Sequence, residues 1–402
     1  RCSGMSQHAL PQEQTDHWTL GFYALPQAQR QSLQLTRDAL AKGSADLQQA
    51  VDCLTAIAQS KLDEPLPSVV DDPITPPSGD HHDYTSLGTY WWPNPDTDDG
   101  LPYIRRDGQR NPQTLGADFT ALCDVVELIT IQILAWRLTD QTPFAQKAID
   151  ALRHFFLDPQ SAMNPHLKYA QRIPGHCDGR GIGLIDTHRL IPVTELLPLL
   201  RDSELWQNED EQGMQLWFTR YLDWFEQSDL GQTERNEHNN HGTWHDAQVV
   251  AFALYTNQSQ RALQVLEQVA PKRIDQHLAS DGSQPHEEAR TLSLTYSIFN
   301  LEAMLAMTIW GQTLGIDLWE HVGPNGQTLN TAVDYLTAYQ DCIDTWPKEQ
   351  IKPASPTKLA ALTAIRSHIQ GTHTDAAIYK QAFNSLPISH RLFSLIYPPQ
   401  ID

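Results

Sequence analysis

Basic residues are scarce in this chain: 28 Lys and Arg stand against 49 Asp and Glu, a formal charge of −21 over 402 residues. This excess of negative charge argues against nucleic acid as a partner. It also argues against a polyanionic ligand unless a local group of arginines receives it. Such groups are present, with Arg105, Arg106 and Arg110 in one segment and Arg172 and Arg180 in another.

Cysteines and long apolar runs are also scarce. The five cysteines are widely spaced without paired metal-ligand spacing, and Cys53 and Cys123 lie in apolar helical patterns that predict core positions. Cys2 suggests the remnant of a lipoprotein attachment site, although Arg1 before it does not fit a lipobox. No apolar run reaches the ~18 residues of a membrane span. Polar residues interrupt the nearest candidate, residues 125–136, so no transmembrane segment is predicted.

Alternating strand patterns are few, whereas apolar residues spaced by three and four recur throughout, most clearly in residues 122–136 and 214–225. No fixed repeat is visible, so a regular superhelical array is disfavoured. Helices joined by short connections indicate an all-α domain, residues 1–402, of antiparallel helical hairpins packed in a ring or solenoid. Further helices are predicted near residues 27–42, 45–61, 144–157, 184–200, 240–256, 259–278, 286–311, 328–340, 357–369 and 375–385.

Two long segments, residues 62–113 and 159–183, lack the helical pattern and are rich in turn-forming residues. Loops of this length inside a compact domain are usually functional or disordered. Their aromatic and arginine content favours ordered loops that form a cleft.

The first loop offers side chains that suit a charged sugar. Tyr90, Trp91 and Trp92 present flat faces for stacking on sugar rings, and Arg105 and Arg106 present guanidinium groups for carboxylates. An alternative is that the tryptophans only anchor the loop to the core, because large aromatic residues are mostly buried.

The second loop is dense in glycine between residues 174 and 183, which permits close approach of the backbone to a ligand. No strand precedes it and no Gly-Lys-Ser/Thr follows, so nucleotide binding is not indicated. Arg180 is a candidate carboxylate-binding residue. The alternative is a salt bridge to Asp186.

Asn239, Asn240 and His241 open a predicted helix. A helix N-terminus adds backbone donors and partial positive charge, which suits an anionic ligand. His238 and His245 raise the alternative of a zinc site. The glutamate of the His-Glu-x-x-His motif is absent, however, so no metal is predicted.

A later predicted helix carries a cation and a phenol, Arg290 and Tyr296, with Glu287 and Glu288 placed to stabilise its first turn. Asn, His, Arg and Tyr together suit the removal of a carbon-acid proton next to a carboxylate. This set therefore indicates β-elimination on a uronic acid.

Four runs of sequence, DYTSLGTYWWPNP, GRGIGLIDT, NNHGTWHDAQ and DGSQPHEEART, resemble those of bacterial proteins with the alginate lyase domain. The likeness is greatest to polysaccharide lyase family 38 and more distant to the family 5 mannuronate lyases. It implies an (α/α) toroid or barrel with a cleft or tunnel and no required metal or cofactor. It matches Asn240 and His241 to the family's Asn-His pair, Tyr296 to its catalytic tyrosine and Arg290 to its upstream arginine. The spacing from Arg290 to Tyr296 differs from that in family 5, which leaves the role of Arg290 open. His245 and His286 also depart from the residues common at these places, which leaves the details of the sugar subsites open.

The resemblance implies a polysaccharide lyase, periplasmic or secreted, whose partner is an anionic polysaccharide. It would cleave β-1,4-linked polyuronate by metal-independent syn β-elimination and leave 4,5-unsaturated ends. Asn240, His241 or Arg290 would neutralise the carboxylate, and Tyr296 would serve as both base and acid. A free phenol has a pKa of about 10. Arg290 and His241 are therefore expected to favour ionised Tyr296.

Several alternatives remain open at this stage. Mannuronate and glucuronate differ only at C2, so a glucuronan lyase fits the same chemistry as an alginate lyase. Glu287, Glu288 and Asp246 could serve an (α/α)-barrel glycoside hydrolase, which works with paired carboxylates. A non-catalytic protein could bind sugars through Trp91 and Trp92 alone. The sequence carries no indication of oligomeric state.

Overall fold

The computed structural model describes residues 26–371, and helices make up most of this part of the chain. Three other helical segments adjoin the α-helices. Arg153–Leu157 is a π-helix, and Gly181–Leu190 and Leu197–Asp202 are 3₁₀-helices. The α-helices are α1 (Pro26–Ala41), α2 (Ala45–Ser60), α3 (Ala117–Thr139), α4 (Thr142–Leu152), α5 (Ile191–Leu196), α6 (Asn208–Gln227), α7 (Asp229–Arg235), α8 (Asn240–Tyr255), α9 (Ser259–Gln268), α10 (Ala270–His277), α11 (Pro285–Glu288), α12 (Ser293–Thr313), α13 (Leu329–Thr337) and α14 (Pro356–Gln370).

The structure confirms the predicted helices at α1, α2, α8, α13 and α14 to within three residues at either end. The stretch predicted over residues 259–278 divides into α9 and α10. Pro271, near the start of α10, lacks the N–H that a continuous helix would need there. The short helix α7 was not predicted. The helix expected near residues 375–385, and Cys2, lie outside the described residues.

The helix predicted over residues 286–311 is also interrupted, between α11 and α12. The backbone N–H and the hydroxyl of Thr291 donate to Asp107, and the Ile351 N–H donates to the Thr291 carbonyl. Because these backbone groups bind other segments, the residues between the two helices leave the helical path.

The core is formed by helices that are buried on most sides. By length and composition alone, Asp118–Thr139 of α3 could cross a membrane. However, 67% of its apolar window is buried inside the fold, where α3 packs against α2, α4 and α5. Helices α8 and α12 pack directly on each other, and their contact brings the start of each helix to the candidate site.

The two long loops are ordered and pair with each other. Strand β1 (Thr85–Leu87) of the first loop runs parallel to β4 (Tyr169–Arg172) of the second. Within the first loop, β2 (Trp91–Trp92) pairs antiparallel with β3 (Ile104–Arg105). The Asp118 carboxylate, in the first turn of α3, accepts the Thr85 N–H at 2.7 Å and fixes the paired loops to the helical body.

Candidate active site

A cavity of about 440 Å³ lies where the paired loops meet the first turns of α8 and α12. Trp92 and Arg106 are not part of its lining. The cavity wall includes nine of the eleven residues predicted to form the site: Tyr90, Trp91, Arg105, Arg180, Asn239, Asn240, His241, Arg290 and Tyr296.

Positive charge is concentrated in this cavity although the chain is acidic overall. Of its two acidic residues, Asp186 already accepts hydrogen bonds from Tyr84, Ser86 and Gln171, and the other is Glu237. Six cationic side chains line the same wall: Arg105, Arg110, Arg180, Arg189, Arg290 and Lys358. The cavity therefore suits an anionic ligand.

His241 sits in the first turn of α8 with its ring held by a buried carboxylate. Its Nδ1 lies 3.0 and 3.2 Å from the two carboxylate oxygens of Glu234, which is fully buried on α7. Burial alone would lower the pKa of His241. The charge and hydrogen bond of Glu234 outweigh burial and raise this pKa above its ordinary value. The imidazole is thus favoured in its cationic form next to the cavity.

Asn239 and Asn240 have different functions at the start of α8. The side-chain oxygen of Asn239 accepts the His241 N–H at 3.0 Å, so this residue caps the helix. The backbone N–H and side-chain Nδ2 of Asn240 both donate to Glu287, at 2.6 and 2.9 Å. Asn240 is fully buried, and its Oδ1 has no hydrogen-bond partner within residues 26–371. Since the residue lines the cavity, this oxygen and the second Nδ2 hydrogen are available to a ligand.

Glu287 was expected to stabilise the first turn of α11, but it binds Asn240 instead. Its side chain is 1% exposed, and burial raises its pKa although the hydrogen bonds from Asn240 lower it. The neighbouring Glu288 does bind the start of α11, because its carboxylate accepts the Gln284 N–H at 3.1 Å.

Close approach of backbone to side chain at this helix start requires a glycine. A Cβ atom on Gly242 would lie 2.5 Å from the Arg273 Nη1 atom and would also meet the Glu237 carbonyl. The Arg273 guanidinium donates to the carbonyls of Glu237 and Arg235 and to the Asp246 carboxylate. A buried arginine thereby fixes the chain that leads from α7 to α8.

The Tyr296 hydroxyl forms a hydrogen bond with the Tyr90 hydroxyl, and the Arg290 guanidinium lies over the Tyr296 ring, 4.1 Å from its centroid. Burial and the neighbouring Tyr90 raise the pKa of Tyr296 well above that of a free phenol, although the charge of Arg290 lowers it. Arg290 thus favours the ionised phenol as expected, but burial and Tyr90 outweigh it, so the phenol is neutral in the protein without substrate.

Arg290 lies between α11 and α12, rather than on one helix with Tyr296 as predicted. Its Nε and Nη2 donate to the two oxygens of Asp107, at 3.1 and 2.8 Å. Arg105 donates to the same carboxylate at 2.8 Å. Burial would raise the pKa of Asp107, but the two arginines and the Thr291 N–H hold it at about 2. One carboxylate thus orders two arginines of the cavity wall.

Arg180 is held by Gln171 rather than by the predicted alternative partner, Asp186. Its Nε and Nη2 donate to the backbone and side-chain oxygens of Gln171, at 3.1 and 2.9 Å. Gln171 in turn donates to Asp186 at 2.8 Å. Burial lowers the pKa of Arg180 to about 10, so the guanidinium is still charged at neutral pH.

Of the remaining predicted residues of the first loop, Trp91 lines the cavity, whereas Trp92 and Arg106 lie outside it. The Trp91 ring lies in the wall, with its edge toward His176 at a centroid distance of 5.2 Å. Trp92 donates from its indole N–H to the Gln109 carbonyl at 2.8 Å, and the Arg106 guanidinium lies 5.2 Å from its ring centroid. Trp92 and Arg106 therefore form a stacked pair beside the cavity.

The histidines considered for zinc do not share a site. His238 is exposed and contacts His286, whereas His245 is buried and stacks on Phe225 at a centroid distance of 4.6 Å. In residues 26–371, no group of three or more metal-ligating side chains is found.

The acids considered for a hydrolase are likewise dispersed. Asp246 pairs with Arg273, Glu287 binds Asn240, and Glu288 lies 3.8 Å from Lys348. None of the three acids lines the cavity.

Several site residues were missed by sequence reasoning. Glu234 and Asp107 position the predicted residues without lining the cavity themselves. Phe119 lines the cavity, with the guanidinium groups of Arg110 and Arg189 at 5.6 and 4.8 Å from its ring centroid. The arginines near residue 105 were noted as a group, but no pattern in the sequence connects them to Phe119.

The chain is similar to known alginate lyases. A family model described as alginate lyase matches residues 68–346. A solved alginate lyase from Bacteroides ovatus is 34% identical, with 94% of this chain and 98% of that chain covered and a TM-score of 0.86. Alginate lyase A1-III from Sphingomonas species A1, in a variant complexed with a tetrasaccharide, shares the fold at 12% identity, 88% and 95% coverage and a TM-score of 0.54. No match was found among curated proteins. The helical toroid predicted from the sequence is confirmed.

Proposed function

The chain belongs to the alginate lyase family, and from that premise we propose that it is a polysaccharide lyase that cleaves β-1,4-linked polyuronate by syn β-elimination at Tyr296. The observation that carries this mechanism is the meeting of four groups in one cationic cavity: the Tyr296 hydroxyl, the Arg290 guanidinium, the Asn240 amide and the His241 imidazole. Alginate, rich in mannuronate, is the proposed substrate.

The carboxylate of the reacting sugar must be neutralised before its C5 proton becomes acidic. His241, whose pKa Glu234 raises, and Arg290 provide positive charge, while Asn240 can donate its second Nδ2 hydrogen. Donors fixed before the reaction stabilise the charge that develops in the enolate-like intermediate. These three residues are therefore proposed to hold the carboxylate.

Tyr296 is proposed to move the proton. The Tyr296 phenol is neutral in the free protein and must first lose its proton to solvent. The ionised hydroxyl then removes the proton from C5, the electron pair forms the C4–C5 double bond, and the C4–O4 bond breaks. The same hydroxyl then returns the proton to the departing O4, so the step consumes no external acid or base. One residue can perform both transfers because the C5 hydrogen and O4 lie on the same face of β-linked mannuronate. Glucuronate shares this geometry, so glucuronan is the second candidate substrate.

Incubation with polymannuronate, glucuronan and polyguluronate tests the proposal. Cleavage should release oligosaccharides whose unsaturated ends absorb in the ultraviolet. Guluronate, the C5 epimer of mannuronate, places its C5 hydrogen on the opposite face, so polyguluronate should react slowly. New reducing ends without ultraviolet absorbance would indicate hydrolysis instead, and no product from any of the three polymers would leave only sugar binding.

We also propose a periplasmic or secreted location, because an intact polyuronate is too large and too charged to enter the cytoplasm unaided. Fractionation of the native host, with a cytoplasmic enzyme as the marker, tests this proposal. Recovery of the protein with the cytoplasmic marker would contradict it.

A further inference from the structure

Lys358 is a buried cation that the proposed mechanism does not use. It lies in the first turn of α14, is 5% exposed and lines the cavity, although it falls outside residues 68–346 of the family match. A positive charge at a helix N-terminus opposes the helix dipole, and burying an unpaired cation costs further free energy. Local structure alone therefore does not favour a lysine at this position.

The protein itself offers Lys358 little compensation. Among the described residues, no hydrogen bond or ion pair reaches its ammonium group. Lys358 acts electrostatically on Glu302 of α12, which is fully buried and whose two carboxylate oxygens also lack partners in this part of the chain. Burial raises the pKa of Glu302 to about 7, although the charge of Lys358 lowers it. The two groups attract each other without contact, so the ammonium group retains its donors.

Lys358 lines the same cavity as Tyr296 and the groups proposed to hold the reacting carboxylate. Glu302 follows Tyr296 by six residues on α12, roughly 9 Å along the helix axis. The reacting carboxylate already has Asn240, His241 and Arg290 as partners. A cation that reaches the cavity from α14 is therefore suited to a second anionic group of the same polymer.

We infer that Lys358 binds the carboxylate of a second uronate, in a subsite beside the reacting sugar. This inference rests on the proposed function and adds a requirement for the substrate: the polysaccharide must carry carboxylates on two neighbouring sugars. Lys358 does not act in proton transfer, so its removal should weaken substrate binding more than it slows the bond-breaking step.

A matched set of variants separates this function from simple compensation of Glu302. Lys358→Met, Glu302→Gln and the double variant are compared by KM and kcat on polymannuronate. A hydrogen bond between charged groups is worth enough to predict a KM about tenfold higher or more in Lys358→Met, with little change in kcat. Glu302→Gln should keep the original KM, and the double variant should resemble Lys358→Met. Recovery of the original KM by the double variant would show that Lys358 only compensates Glu302.

Binding measurements keep the inference testable apart from catalysis. The Kd of a mannuronate oligosaccharide is measured by calorimetry with Tyr296→Phe protein, with and without Lys358→Met. If the unmodified chain cleaves no polyuronate, the proposed function fails, but a weaker Kd in Lys358→Met still supports the subsite. If cleavage occurs and neither KM nor Kd changes, only the subsite is refuted. Should Lys358→Met not fold, Lys358→Gln replaces it, because its amide keeps a donor but no charge.

Discussion

The cavity has a helical wall, formed by the first turns of α8 and α12, and a loop wall, formed by the two paired loops. The two walls hold their residues in different ways. On the helical wall, His241 and Asn240 each bind a buried carboxylate of their own, Glu234 and Glu287, at distances between 2.6 and 3.2 Å. On the loop wall, Arg105 shares the Asp107 carboxylate with Arg290, and its side chain is 54% exposed. Rigid elements position groups more accurately than loops do.

This difference indicates that the two walls have separate functions in the proposed reaction. Asn240, His241 and Tyr296, which handle charge and protons during bond breaking, occupy the first turns of α8 and α12, where packing fixes their orientation. Groups that hold the rest of a long substrate occupy β2, β3 and the glycine-rich segment, where small movements can accommodate sugar rings. Changes on the helical wall should therefore lower kcat, and changes on the loop wall should raise KM.

The largest effect is expected from two hydroxyl groups that touch across the walls. Tyr296→Phe should lower kcat by about 10²–10⁴-fold with little change in oligosaccharide binding, because it removes the proposed proton carrier and keeps the ring. Tyr90→Phe, on the loop wall, is the matched control and should cost much less kcat. Steady-state kinetics and calorimetry measure both. Equal losses in kcat for the two variants would contradict separate functions of the two walls.

The next effect concerns the charge of His241. Glu234 raises its pKa, so Glu234→Gln should lower that pKa and shift the acid-side limb of the kcat/KM profile to lower pH. In the proposed mechanism the active form combines cationic His241 with ionised Tyr296, so the plateau of the profile should fall as well. Glu237→Gln, which removes a weaker influence on the same ring, should shift the limb less.

The height of that plateau decides between two mechanisms. If Glu234→Gln shifts the limb but leaves the plateau unchanged, neutral His241 is the base and Tyr296 only the acid. The helical wall would then still perform the chemistry, but with the proton transfers divided between two residues.

A smaller effect is expected on the loop wall. Replacing Arg105 and Arg106 together with Gln should raise KM more than it lowers kcat, because these groups hold sugars and do not react. The single variants sharpen the test, since Arg105 lines the cavity and Arg106 stacks on Trp92 outside it. Arg105→Gln should account for most of the change on short oligosaccharides. A KM that stays constant over all chain lengths would place this loop outside the binding site.

No effect is expected from metal removal. The proposed neutralising groups are Asn240, His241 and Arg290, so protein dialysed against a chelator should keep its kcat and KM. Loss of activity that zinc or calcium restores would require a new interpretation of both walls.

The sequence predicted the cavity residues better than the contacts that position them. Helical periodicity and the Asn239–His241 motif placed α8 to within one residue, and the residue types alone indicated the chemistry. The partners were missed because they come from other segments. Asp107 and Arg290 are 183 residues apart. Glu234 lies in α7, which is too short to show a period. The sign of the Tyr296 pKa shift was also missed, because it depends on burial and on Tyr90, which no sequence pattern connects to Tyr296.

Asp107 has a further consequence for the speed of the catalytic cycle. Because it orders Arg105 and Arg290 before any sugar arrives, the entering substrate immobilises few additional rotatable bonds, and less conformational entropy is lost on association. The same carboxylate competes with the sugar for both guanidinium groups. After the polysaccharide is cut, we expect the Asp107 carboxylate to bind Arg105 and Arg290 again, which would speed the release of the shortened product.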